Sequence, residues 1–188
     1  MGLRTVRVSE RSITGSLLVL ASLTGFVGVA LFTFNGRGEP SSTQLFVMTR
    51  TFILAAAITT ALGLALLESV LRDAGERVLS RLGLVGFVLG AAFIVVTEAN
   101  LIDNGSGYAY SLTRVYVVLA FLAQAAFGGA LVRARVVSTW VGPATIAWNL
   151  GWLALLLVID LGGGPGYYPV LHYIAPLAIG IELIRHRS

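Results

Sequence analysis

Arg50, Glu98, Arg114, Asp160 and His172 stand within or at the ends of long apolar runs. An ionisable side chain is costly there and is by default a candidate for function. Arg50 and Arg114 offer planar, bidentate recognition of a carboxylate or phosphate. His172 adds an imidazole of the kind that changes charge near neutral pH. Glu98 and Asp160 supply counter-charges, and Asp160 with His172 could form an acid–base pair. Deeper in the apolar runs lie Thr59, Thr60, Gln124 and Asn149, the last flanked by Trp148 and Trp152. Gln124 and Asn149 can bond across helices and fix packing, or line a ligand path. The candidate ligand-binding set is therefore Arg50, Glu98, Arg114, Asp160, His172, Asn149 and Gln124.

Several chemistries are excluded or disfavoured. With no cysteine, disulfides, thiolate catalysis, Fe–S clusters and Cys-zinc sites are out. A metal held by His172, Asp160 and Glu98 would have one nitrogen ligand and no telling spacing, so no metal site is assigned. His186 sits in the C-terminal tail, far along the chain from His172, which argues against a bis-histidine haem. The H-E-x-x-H, G-x-S-x-G and G-x-x-x-x-G-K-[ST] patterns do not occur. No catalytic residue is assigned, and no cofactor is indicated. Asn104-Gly105-Ser106 matches a glycosylation acceptor, a weak three-residue signal.

The elements that must position these residues follow from composition. Of 188 residues, 56% are hydrophobic and 12% charged, where a soluble domain carries about 25% charged residues. Six apolar segments fill the chain: Ile13–Phe34, Gln44–Leu71, Val78–Leu101, Ser111–Val132, Thr139–Ile159 and Tyr168–Ile184. Each is close to the ~20 residues that span ~30 Å of hydrocarbon as a helix. Lipid leaves no partner for free backbone groups, and the segments lack the alternation of a barrel strand. The expected fold is all-α, a single domain over 1–188 that bundles six transmembrane helices. Arg4, Arg7 and Arg11 precede the first segment as in a signal peptide. The segment is longer than the usual ~7–15 apolar residues and no A-x-A site follows, so it reads as a retained helix.

The connections alternate in charge. Arg4, Arg7 and Arg11, then Arg72, Arg77 and Arg81, then Arg133 and Arg135, then Arg185 and Arg187 mark one side. The other side holds Arg37, with Arg50 and Arg114 just inside the following helices. The positive-inside rule puts the first set, and so both termini, in the cytoplasm of a multi-pass cell-membrane protein. All 13 basic residues are Arg, a bias typical of GC-rich bacterial or archaeal genomes. They are spread over short turns without a basic stripe, so the net charge of +4 does not indicate nucleic acid. The expected partners are membrane lipids, with other membrane subunits or a second copy as further candidates. Glu68 and Glu182 lie near the arginine-rich ends, within reach of water or those turns.

The outer turns carry Gly36-Arg37-Gly38, Gly105-Ser106-Gly107 and Gly164-Pro165-Gly166. Thr49-Arg50 and Thr113-Arg114 open the helices after the first two, and His172 has a comparable position after the third. Three repeated helical hairpins would produce this pattern, as would the general recurrence of glycine in turns. Small residues at four-residue spacing, Ala57, Ala61 and Ala65, Gly86 and Gly90, Ala125 and Gly129, Ala147 and Gly151, predict close helix packing within the chain. Tyr108, Tyr110, Tyr167, Tyr168 and Tyr173 read as an outer aromatic belt.

Counting residues fixes depth. Glu98 lies ~24 Å and Asp160 ~30 Å along their helices from the inner end. Arg50, Arg114 and His172 fall in the first turns of descending helices. All five are expected in one outer layer, with Glu98 and Arg114 as a pair across their shared turn. Such a layer is either a set of salt bridges or an outward pocket for an anionic or polar ligand. Snorkelling of Arg50 and Arg114 to lipid phosphates is a third option.

Arg77–Gly90, Trp140–Trp152 and Pro176–Arg187 resemble small six-helix bacterial membrane proteins known only as domains of unknown function. The likeness covers about half of the chain and implies the bundle fold, but no site residue. The favoured function is a non-enzymatic membrane protein, either ligand- or lipid-binding or an accessory subunit of a membrane complex. A small transporter with an outward Arg/His site is the alternative, and a lipid-modifying enzyme using His172 and Asp160 a second one. Because the native chain has no cysteine, the topology is directly testable. A single cysteine at Ser188 should react with impermeant maleimide only after the inner face is opened, and one at Ser106 in intact cells. The same sidedness for both would refute the assignment.

Overall fold

A computed structural model describes residues 2–34, 43–104, 109–158 and 168–185. Among them every regular element is helical: α1 Gly2–Phe34, α2 Thr43–Asp73, α3 Val78–Asn104, α4 Ala109–Ala134, α5 Val141–Val158, α6 Tyr168–Leu171 and α7 Ile174–Arg185. Five of these, α1 to α5, contain stretches long and apolar enough to cross a membrane. The sixth expected span is broken: one turn, α6, is followed after His172 and Tyr173 by the 12-residue α7. The first helix begins earlier than its apolar run, so Arg4, Arg7 and Arg11 ride on α1 itself.

Consecutive long helices pack side by side, α1 on α2, α2 on α3, α3 on α4 and α4 on α5, and α7 returns to pack on α1. A lighter contact between α5 and α7 completes the circuit. The mostly apolar core also holds polar side chains, and large apolar ones face outward as well. Thr60, Glu98, Gln124, Asn149 and His172 are buried, while Leu20, Leu62, Leu89, Leu157 and Val158 face outward. Apolar side chains cost nothing against lipid, whereas polar ones are driven inward.

Several hydroxyls in the helices bond their own backbone, although the buried Thr97 Oγ1 has no hydrogen-bond partner. Thr14, Ser22, Thr49, Thr59 and Thr60 each donate to the carbonyl four residues back, at 2.7–2.8 Å. This removes a free donor from lipid without a partner helix. Thr59 and Thr60 are therefore held by their own helix.

The arginine-rich end is wired more elaborately. Gly75, at φ 95°, closes α2 with Glu76 N–H donating to Leu71 C=O at 3.0 Å and Gly75 N–H to Arg72 C=O at 3.0 Å. This double bond pattern around a left-handed glycine terminates a helix and sends the chain back. Glu76 then caps α3, accepting from Leu79 N–H at 2.8 Å, and pairs with Arg133 of α4 at 3.7 Å. Glu68 pairs with Arg72 at 3.4 Å, and Ser138 donates to Glu182 of α7 at 2.6 Å. The two inner carboxylates thus meet the polar and basic groups of the turns.

Close backbone approach occurs where sequence-remote glycines meet. A Cβ on Gly180 would lie 2.7 Å from the carbonyl oxygen of Gly15, and one on Gly15 would lie 2.7 Å from that of Gly180. Gly128 and Gly142 are related in the same way across α4 and α5, at 3.0 and 2.9 Å. The expected stripes divide: Ala57 is in the core, and a Cβ on Gly90 would lie 3.2 Å from Leu119 and one on Gly129 3.0 Å from Leu79. Gly86 makes ordinary contact and Gly151 meets open space, and Ala147 and Gly151 face outward. Gly180→Ala should therefore destabilise the protein by about 1–3 kcal/mol through overpacking. Gly151→Ala should be neutral or stabilising by up to ~1 kcal/mol through helix propensity. Thermal unfolding in detergent distinguishes the two; equal effects would contradict the α1–α7 crossing.

Candidate functional site

The break in the sixth segment has a local cause. A proline inside a helix lacks the N–H owed to the carbonyl four residues back, and its ring clashes with that carbonyl. For Pro176 that carbonyl belongs to His172. In the first turn of a new helix the missing N–H is no loss, and Pro176 is the third residue of α7. The chain therefore stops its helix at Leu171, turns through Tyr173 N–H to Val170 C=O at 3.1 Å, and restarts with Leu177 N–H to Tyr173 C=O at 3.2 Å.

Stopping the helix frees carbonyls in the bundle interior. That of Leu171 accepts from the Trp148 indole of α5 at 2.8 Å, and Trp148 is steadied edge-on by Trp152, 5.7 Å between centroids. The turn also swings two rings inward. His172 is 0% exposed and Tyr173 2%, and the rings lie 4.1 Å apart. Tyr173 rests on α1, where a Cβ at Gly25 would fall 2.5 Å from its ring. His172 Nε2 is 2.8 Å from the Tyr116 hydroxyl of α4. Phe87 of α3 and Phe121 of α4 close the cage, each 6.3 Å away.

Near this cage are buried polar atoms with no hydrogen-bond partner: His172 Nδ1 and both amide atoms of Gln124, with Asn149 Oδ1 beside Trp148. Asn149 spends its Nδ2 on Thr145 C=O of its own helix, at 2.8 Å. Phe121 places Gln124 one turn along α4 from the His172 contact. The meeting of Gly128 with Gly142 and Ile146 fixes the antiparallel register of α4 and α5. One turn further along, Gln124 comes level with Trp148 and Asn149. Neither amide hydrogen-bonds across helices, the first of the two roles open to them.

The expected outer layer divides. Arg50 Nη1 lies 3.3 and 3.2 Å from the two carboxylate oxygens of Glu98, and its guanidinium lies 5.6 Å from the Phe32 ring and 5.1 Å from that of Phe46. The partner of Glu98 is thus Arg50, not Arg114. Antiparallel α2 and α3 are neighbours, and Glu98 continues the buried face of α3 that holds Phe87, Ala91 and Ile94. Arg114 is exposed, off the buried α4 stripe of Thr113, Tyr116, Val117 and Ala120. His172 is inside the bundle rather than at its outer edge, and Tyr173 belongs to the core rather than to an aromatic belt. Asp160 lies outside the described residues, as do all three Gly-x-Gly motifs. The structure brings together Arg50 with Glu98, and it groups His172, Gln124 and Asn149 around the α4–α5 side of the break.

Tyr116, Phe87 and Phe121 are missing from the sequence-derived set. In an apolar run, aromatic residues carry no signal beyond hydrophobicity. Pro176 was the available clue, since counting four residues back reaches His172. Comparisons with family models, curated proteins and solved structures gave no match. The fold and site together define a helical bundle with membrane-spanning character and a histidine at an interior helix break.

Two variants check this geometry. Arg50→Met should cost about 3–5 kcal/mol by stranding the Glu98 carboxylate, and Arg50→Met with Glu98→Leu should recover much of it. Arg114→Ala should stay within about 0.5 kcal/mol of the native protein. Unfolding in detergent measures all three, and a large Arg114→Ala effect would contradict the pairing.

Proposed function

We propose that this chain is a non-enzymatic integral membrane protein of six crossings, with both termini in the cytoplasm, that binds a small ligand inside the bundle. The observation that carries this is the group of partnerless polar atoms on Gln124, Asn149 and His172. A buried polar atom without a partner costs about 1–3 kcal/mol, a cost that the hydroxyls of Ser22 and Thr60 avoid by bonding their own backbone. A polar ligand would complete the hydrogen bonding of these side chains. A non-enzymatic role is supported by the surroundings of His172. Its bonded partner is a phenol, and among the described residues no carboxylate hydrogen-bonds Nδ1 as in an oriented catalytic base. The Arg50–Glu98 pair is read as structural, tying α2 to α3, and Arg114 as a contact for lipid phosphates.

A second reading, a small transporter, gains from one observation. Transporters build mid-membrane sites from discontinuous helices, and the α6–α7 break is one. Transport would require the ligand to reach both faces, which binding alone does not.

Native purification followed by mass spectrometry of bound small molecules tests the proposal. A near-stoichiometric ligand is expected. The double variant Gln124→Leu, Asn149→Leu should lose most of it while the empty protein becomes more stable by about 1–2 kcal/mol. Finding no ligand in the native protein, or full retention in the variant, would refute interior binding. Uptake into proteoliposomes separates transport from binding.

A further inference from the structure

We infer that the seam between α4 and α5 is a site for a neutral carboxamide group, held by the amides of Gln124 and Asn149. This rests on the proposed interior binding and names the class of ligand.

The helix register brings the two amides to the seam. A Cβ on Gly128 would lie 3.0 Å from both the carbonyl oxygen of Gly142 and the backbone nitrogen of Ile146, and one on Gly142 would lie 2.9 Å from the carbonyl oxygen of Gly128. These contacts mark the sides that the two antiparallel helices turn toward each other. Gln124 is four residues from Gly128, and Asn149 is seven from Gly142. At 3.6 residues per turn each is rotated only ~20–40° from its contact glycine. Gly128 is level with the middle of 142–146. One turn further along, Gln124 is level with Trp148, and Asn149 lies ~1.5 Å beyond. The side chains are buried, Gln124 at 1% and Asn149 at 0% exposure, yet they do not bond each other.

Bonding capacity then selects the ligand. Asn149 commits Nδ2 to the Thr145 carbonyl at 2.8 Å, which fixes the orientation of its amide and leaves Oδ1 as an acceptor. Gln124 has both Nε2 and Oε1 unpartnered. The seam therefore offers two acceptor oxygens and one donor nitrogen. A carboxylate brings no donor for the oxygens, and an ammonium brings no acceptor for Nε2. Either would also be a charge buried against neutral groups. A hydroxyl has one donor for two oxygens. A primary carboxamide matches the set. Its carbonyl accepts from Gln124 Nε2, one N–H donates to Gln124 Oε1, and the other N–H donates to Asn149 Oδ1.

α5 packs firmly on α4 and only lightly on α7, so its α7 side is the side from which a ligand reaches the seam. Trp148 stands there, its indole bonded to the Leu171 carbonyl, and reports on occupancy.

Benzamide, benzoate and benzylamine share a ring and differ in the group that the seam reads. Each is titrated against the whole protein in nanodiscs while thermal unfolding is followed. Benzamide should raise the melting temperature, and the two ionic analogues should not. Gln124→Leu should weaken the benzamide response at least about tenfold, equivalent to ~1.4 kcal/mol. A second readout keeps both amides. The chain has three tryptophans, so Trp140→Phe with Trp152→Phe leaves Trp148 alone, and its emission should change with benzamide but not with benzoate. Equal responses to benzamide and an ionic analogue, or a benzamide response unchanged by Gln124→Leu, would overturn the carboxamide assignment. A native ligand that lacks an amide or urea group would also overturn it while leaving interior binding intact. No native ligand and no response to any probe, as for a seam that holds only water, would remove both.

Discussion

A backbone carbonyl inside a tightly packed, largely apolar bundle must find a donor, and Pro176 takes one away. Much of the interior is arranged around that constraint. The missing donor is owed to His172; the helix stops at Leu171, whose own carbonyl accepts from the Trp148 indole of α5. The turn carries His172 to Tyr116 of α4 and lays Tyr173 on Gly25 of α1. Three neighbouring helices are therefore fastened to a two-residue interruption. The restarted helix is brought hard against α1 because neither Gly15 nor Gly180 has a side chain where their backbones meet.

Charge is handled differently at the two ends of the bundle. At the arginine-rich end, carboxylates bond locally: Glu68 to Arg72 one turn on, Glu76 to the start of its own helix and to Arg133. These groups border water, so each pair adds little alone, but together they fix the α2–α3 turn against α4. Toward the other end, the Arg50–Glu98 pair is more enclosed, with side chains 14% and 4% exposed. There desolvation makes the loss of one partner far more damaging than the loss of both. Two phenylalanines beside the guanidinium add cation–π attraction. The result is a neutral clamp between α2 and α3 rather than an open cationic site.

The five long spans were legible because length and apolarity suffice to identify them. The sixth was legible only as an apolar run. Its interruption depends on one proline whose effect falls four residues earlier. Pairing was hidden for a different reason. Glu98 and Arg114 flank one turn, and sequence distance made them partners. Rotational phase decides otherwise, since Glu98 shares a face with Ile94 and Phe87 while Arg114 falls beside the buried stripe of α4. The glycine contacts were hidden by separation along the chain. Gly15 and Gly180 belong to no local stripe, whereas the local pair Ala147 and Gly151 faces outward. Gln124 and Asn149 were recognised as unusual, but not that they would be left incompletely bonded.

That incomplete bonding separates structure from function in this interior. Serine and threonine can bend back to their own helix, as Ser22 and Thr60 do, so their presence in a span need not imply a ligand. Asparagine can do so with one amide atom and not the other, as Asn149 does. Glutamine reaches further and is left with neither atom bonded. Imidazole meets one neighbour through Nε2 and keeps Nδ1 free. A bundle selected only for packing would replace such side chains with leucine or phenylalanine at a gain in stability. Retaining three of them around one side of a helix break is the arrangement expected if something else completes their hydrogen bonds.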